Sequence, residues 1–107
     1  MIALLTSGNW YLQLYTENGV NFTSDFTGYE FKFYEDGRID AIKGTSIHSG
    51  TWSGDIANET FSSAFPVSGF PLNKLNQSWK ITDKYVNVIF AEVQTPAGLV
   101  AIRFKKL

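Results

Sequence analysis

Along residues 8–15, Gly-Asn-Trp-Tyr-Leu-Gln-Leu-Tyr, apolar and polar positions alternate. Trp10, Leu12 and Leu14 share one face, and Tyr11, Gln13 and Tyr15 share the other. A period of two over that length predicts a strand. The same alternation returns at 47–53 (Gly50, Trp52), 59–65 (Phe61, Ser63, Phe65) and 77–82 (Trp79, Ile81). It returns again at 85–93 (Val86, Val88, Phe90) and 99–106 (Val100, Ile102, Phe104). Between these runs lie turn signals: Gly44-Thr45-Ser46, Ser53-Gly54-Asp55 with Asn58, Asp83-Lys84, and Thr95-Pro96-Ala97-Gly98. Pro66 and Pro71 bracket a stretch that cannot easily continue a ladder. Leu72 to Asn76 reads as a short helical turn or loop. Met1 to Thr6 reads as one helical turn, broken by Ser7-Gly8, that caps one end of the fold.

The most explicit unit is the hairpin 29–43. Its loop, Glu35-Asp36-Gly37, suits a type I turn closed by a left-handed glycine. That loop sets Tyr34 opposite Arg38, Phe33 opposite Ile39, Phe31 opposite Ala41 and Lys32 opposite Asp40. Asn18-Gly19 is a second, two-residue hairpin signal. It pairs Glu17 with Val20 and Tyr15 with Phe22, with the returning strand broken near Asp25 to Gly28. A long loop over an open end is the other reading of Thr16 to Thr27. In either reading Phe22 and Phe26 shield one end.

Eight consecutive short strands joined by tight turns predict an all-β, antiparallel up-and-down meander. Closing the first strand on the last makes a barrel and removes both exposed edges. The chain of 107 residues is one domain. Three Trp, five Tyr and nine Phe make 16% of it aromatic, a composition suited to pleated, half-buried surfaces.

Charge and residue types narrow the chemistry. A net charge of −1 draws the chain neither to nucleic acid nor to an acidic membrane. Arg103, Lys105 and Lys106 read as the solvated end of a strand. With no cysteine there are no disulfides, thiolate sites or cysteine nucleophiles. No apolar run reaches the ~20 residues of a membrane helix. The opening Met1-Ile2-Ala3-Leu4-Leu5 is too short and uncharged for a complete signal peptide. The chain is therefore cytoplasmic, or an export segment has been cut away upstream. The single histidine, His48, sits near a turn beside Ser46 and Ser49 without a nucleophile elbow. Glu30 and Asp40 fall on the outer face, and Asp25 lies in a loop. No ligand spacing for a metal is present. The expectation is a protein that is not an enzyme, with no catalytic residue, no metal and no cofactor.

The inward set, from Trp10 through Phe104, decides what the barrel can hold. Eight strands enclose a space that side chains can fill or that admits one small ligand. Rings that bury ~150–250 Å² each can fill it completely. They can also line a slot, with Ser63 and Thr51 or Tyr29 as its polar groups.

The run Leu4-Leu5-Thr6, Trp10, Phe33, Asp36-Gly37, Gly50-Thr51-Trp52 and Trp79-Lys80-Ile81 resembles the lipocalin superfamily. It is most similar to the short lipocalin-like domains of bacterial exported lipoproteins. That resemblance implies a binding or carrier role at the cell envelope, with membrane attachment only through a lipid anchor upstream. It also matches Arg103 to the last-strand arginine that packs across the first-strand tryptophan and closes the base. The expectation is a binding protein holding a small apolar or aromatic ligand against Phe31, Phe33, Trp52, Phe61, Trp79 and Phe90. The alternative is a protein-interaction or inhibitor module with a filled barrel, acting through an outward strip of Tyr85, Ile89 and Val93. Either acts as a monomer or weak dimer.

Overall fold

A computed structural model describes residues 2–55 and 57–107, with the side chains of all of these except Ile2 and Ala3. Met1, the first residue of the expected N-terminal turn, lies outside them. A helical turn, α1 (Ile2–Leu5), precedes β1 (Asn9–Glu17) and β2 (Val20–Asn21). Then come β3 (Glu30–Phe33), β4 (Arg38–Lys43), β5 (Ser46–Asp55), β6 (Thr60–Ala64), β7 (Gln77–Lys84), β8 (Val88–Thr95) and β9 (Gly98–Lys106). Two short 3-10 turns, Thr23–Phe26 and Leu72–Leu75, sit in the longer connections. The strands are ordered β1-β3-β4-β5-β6-β7-β8-β9, and β9 pairs back onto β1. Eight antiparallel strands therefore close a barrel, and β2 is an extra ribbon on β1.

Two hairpins follow directly from their turn residues. The 29–43 hairpin has the expected register, with Phe31 against Ala41, Lys32 against Asp40 and Phe33 against Ile39. Gly37 adopts φ 93°, and the Arg38 guanidinium lies 4.0 Å from the centre of the Tyr34 ring. The Asp40 carboxylate takes Arg38 Nε at 3.5 Å and the Ser49 hydroxyl at 2.7 Å. Asn18 and Gly19 both hold positive φ, the type I′ geometry, and Glu17 pairs with Val20. The returning strand gives way already at Phe22, whose N–H donates to Tyr15 O at 2.8 Å.

Two strands differ in phase from the alternation read in the sequence. In β1 the pairing with β9 shifts between Leu12 and Leu14. The extra residue at this bulge flips the face of everything after it. Leu14, expected inside, is only half-buried, and Tyr15, expected outside, is buried in the core. In β8 the turn falls at 85–88, where Tyr85 N–H donates to Val88 O at 2.7 Å, two residues later than the Asp83-Lys84 signal. Ile89 and Ala91 consequently face in, and Val86, Val88 and Phe90 do not. Phe90 lies on the outer wall, T-shaped against Tyr85 and beside Arg103. The outward strip expected of Tyr85, Ile89 and Val93 is dismantled by the same shift. Ile89 is fully buried and Val93 packs on the core, leaving Tyr85 exposed.

The barrel has two unlike ends. At the base, α1 buries Leu5, whose carbonyl accepts the Trp10 indole N–H at 2.9 Å. At the opposite end, the mouth, the first 3-10 turn and segment 65–76 fold inward. They bury Phe26, Phe65, Leu72 and Leu75. Gly50 makes the second of these possible. A Cβ there would run into the Ala64 carbonyl oxygen and the Phe65 ring, so only glycine lets β6 and its continuation lie so close.

Candidate ligand site at the barrel mouth

Five of the six residues expected to hold a ligand, Phe31, Phe33, Trp52, Phe61 and Trp79, are buried in the lumen. The sixth, Phe90, stands outside it because of the shifted β8 turn. Phe33 is the hub of the buried group. Its ring centre lies 5.4 Å from Trp52, 6.5 Å from Phe61 and 5.8 Å from Phe104, each edge-on. Phe31 meets Phe104 edge-on at 5.4 Å. Such spacings are ring-to-ring contacts. At this level the lumen is occupied by its own side chains.

Space opens higher up. A half-open cavity of about 310 Å³ lies at the mouth, lined by Tyr15, Glu17, Lys74, Gln77, Val100 and the Thr95–Gly98 turn. Gln77 stands two residues before Trp79 on the same face of β7. The cavity thus continues the lumen upward from the packed rings. One layer below, the Trp79 indole N–H is buried without a hydrogen-bond partner among the described residues. A buried donor of that kind costs about 1–3 kcal/mol while nothing accepts from it.

Electrostatics concentrate on Lys74, which the second 3-10 turn carries between buried Leu72 and Leu75. Its ammonium lies 3.2 Å from Glu17 Oε1 and 3.5 Å from Asp25 Oδ2. It also sits 4.6 Å from the Phe22 ring centre, 5.3 Å from Phe70 and 5.5 Å from Tyr15. The Tyr15 hydroxyl donates to Glu17 Oε1 at 3.2 Å. Burial first, then the Glu17 charge, hold that phenol above the ordinary tyrosine range. Segment 65–76 is fastened from below as well. Ser63 Oγ donates to Leu75 O at 2.6 Å, and Phe65 N–H donates to Asn76 Oδ1 at 2.6 Å.

The remaining expected residues are scattered. Ser63 is inside but committed to Leu75, Thr51 faces solvent, and Tyr29 lines a separate groove of about 430 Å³ in the outer wall. That groove follows from β1 and β3 pairing at Asn9 and Trp10 and then diverging. Glu30 is exposed, as is His48, which lies on β5 opposite Ala41. Arg103, matched above to the base-closing arginine, lies over Phe90 on the outer wall at 5.5 Å. The cation over Trp10 is Lys106, at 5.3 Å. Lys74, Glu17, Gln77 and Tyr15 were not singled out by the sequence. The one local hint was the Leu72-x-x-Leu75 spacing, which buries both leucines and thereby aims the intervening residues at the rim.

No protein-family model matches the chain, and no curated protein matches it. Among solved structures, the chain is similar to a crystal structure of a DUF4847 family protein from Bacteroides vulgatus ATCC 8482. The two share 15% identity at a TM-score of 0.70, over 96% of this chain and 94% of that one. At that identity the likeness is one of fold, an all-β antiparallel barrel.

Proposed function

We propose that this chain is a non-enzymatic, lipocalin-like binding protein whose ligand sits at the mouth of the barrel, above the packed rings. The observation that carries this reading is the cavity of about 310 Å³, at the lower end of the volumes that hold small molecules. Tyr15, Val100 and Gln77 give it mixed apolar and polar walls, and Glu17 and Lys74 give it charge at the rim. The unpartnered Trp79 N–H beneath supports the same reading, as a donor available to an acceptor atom of a deeply seated ligand. Kinship with lipocalin-like envelope lipoproteins, and with it an exported location, belongs to this proposal.

Titration with a neutral hydrophobic dye, N-phenyl-1-naphthylamine, read by tryptophan quenching, tests it. Saturable quenching is expected. Its absence discards the small-molecule reading in favour of an interaction module. A specific observation favours that second reading. Val67 and Phe70 on segment 65–76, with Val20 on the neighbouring hairpin, expose 92%, 67% and 55% of their surface at the same rim.

A further inference from the structure

We propose that the mouth is a cage for organic ammonium ions, and that the chain's own Lys74 occupies it in the free protein. This rests on the mouth-site reading above and adds to it the chemical class of the ligand. Three rings, Tyr15, Phe22 and Phe70, surround the Lys74 ammonium at 4.6 to 5.5 Å from their centres. Two carboxylates, Glu17 and Asp25, reach it at 3.2 and 3.5 Å. Ring faces carry negative potential, and a cage of them with acidic neighbours is the chemistry that holds an alkylated ammonium.

The charge balance supports a cation over an anion. One ammonium faces two carboxylates, so an incoming anion would meet excess negative charge, whereas an incoming cation can replace Lys74. The adjoining cavity gives the ligand's short apolar body a place to lie beside Val100 and the Pro96-Ala97 turn. Its size favours a small molecule over a peptide.

Lys74 then acts as a tethered competitor. Apparent affinity is reduced by the fraction of molecules in which the cage is free. Its own side chain is 23% exposed, and it is carried on a one-turn helix at the rim, so it can swing outward without disturbing the packed rings below.

The test compares wild type, Lys74→Met and Lys74→Arg, with choline and its uncharged isostere 3,3-dimethylbutan-1-ol as probes. Calorimetric titration is combined with NMR of the aromatic side chains. Wild type is expected to bind choline weakly, with saturable shifts at the Phe22 and Phe70 rings. Lys74→Met, which keeps the stem and removes the charge, is expected to bind choline roughly tenfold more tightly. Lys74→Arg, which keeps a cation in the cage, should stay near wild type. The alcohol should bind Lys74→Met roughly tenfold more weakly than choline.

Equal binding of choline and the alcohol overturns the cation preference and leaves the mouth site standing. Binding of neither overturns both readings. Choline affinity unchanged by Lys74→Met makes Lys74 a fastening of segment 65–76 and ends the competitor model. If Lys74→Met does not fold, the wild-type ring shifts decide, and their absence at saturating choline overturns the proposal.

Discussion

The base and the mouth of this barrel solve the same geometric problem in opposite ways. At the base, each large side chain finds a fixed neighbour. The Trp10 indole N–H is satisfied by Leu5 O, its ring is covered by Lys106, and the Phe33 group interlocks edge to face. At the mouth a cavity stays open, and a lysine gathers two carboxylates and three rings. Just below it an indole N–H is left without a partner. The base is arranged for stability. The mouth keeps polar groups partly unsatisfied or exchangeable, as a binding surface does.

The largest way to break this contrast is Phe33→Ala. Removing the hub of the lower lumen should cost about 3–5 kcal/mol, read by denaturant unfolding, because the surrounding rings cannot close the hole fully. A loss below about 1 kcal/mol would mean that the lower lumen is loosely packed.

Gly50→Ala acts between the two regions. The added methyl meets a carbonyl oxygen on β6 and the Phe65 ring, so β6 or segment 65–76 has to move. A destabilisation of about 1–3 kcal/mol is expected by thermal melting. It should be accompanied by weaker ligand binding at the mouth, since Phe65 begins the segment that carries Lys74.

The smallest effect sharpens the contrast by pH. The Tyr15 phenol is held above its ordinary value of 10.0 in the folded chain. Above about pH 10 the unfolded chain releases this proton before the folded one does, so it binds fewer protons and stability falls as pH rises. Tyr15→Phe should remove that part of the alkaline loss, while behaving like wild type near neutrality apart from the lost Glu17 hydrogen bond. Stability measured across pH 8 to 11 with an unchanged slope would contradict the buried placement of Tyr15.

How far the sequence went follows the same division. Turn residues with steric demands were legible, as in Glu35-Asp36-Gly37 and Asn18-Gly19, because a left-handed residue fixes the register around it. Closure of the meander, and the inward faces of β5, β6, β7 and β9, followed from period-two alternation. What failed was phase after an irregularity. A bulge in β1 and a later turn before β8 each carry no composition signal, yet each reverses a strand. They exchanged Tyr15 for Leu14 and Ile89 for Phe90, moving one expected ligand contact outside the barrel. The mouth cluster was illegible for a different reason. Glu17, Asp25 and Lys74 lie in three separate connections, and only closure of the barrel makes them neighbours. Arg103 and Lys106 are three positions apart on one strand, and the β1 bulge alters which of them reaches Trp10.

The account stands on a solid base beneath an open mouth, and amide chemical-shift mapping tests that division most directly. With N-phenyl-1-naphthylamine added to isotopically labelled protein, the largest shifts should fall on Tyr15, Glu17, Gln77 and residues 95–100. Those of Phe31, Phe33 and Trp52 should stay nearly fixed. Shifts centred on Phe33 and Trp52, or no saturable shift anywhere, would contradict it.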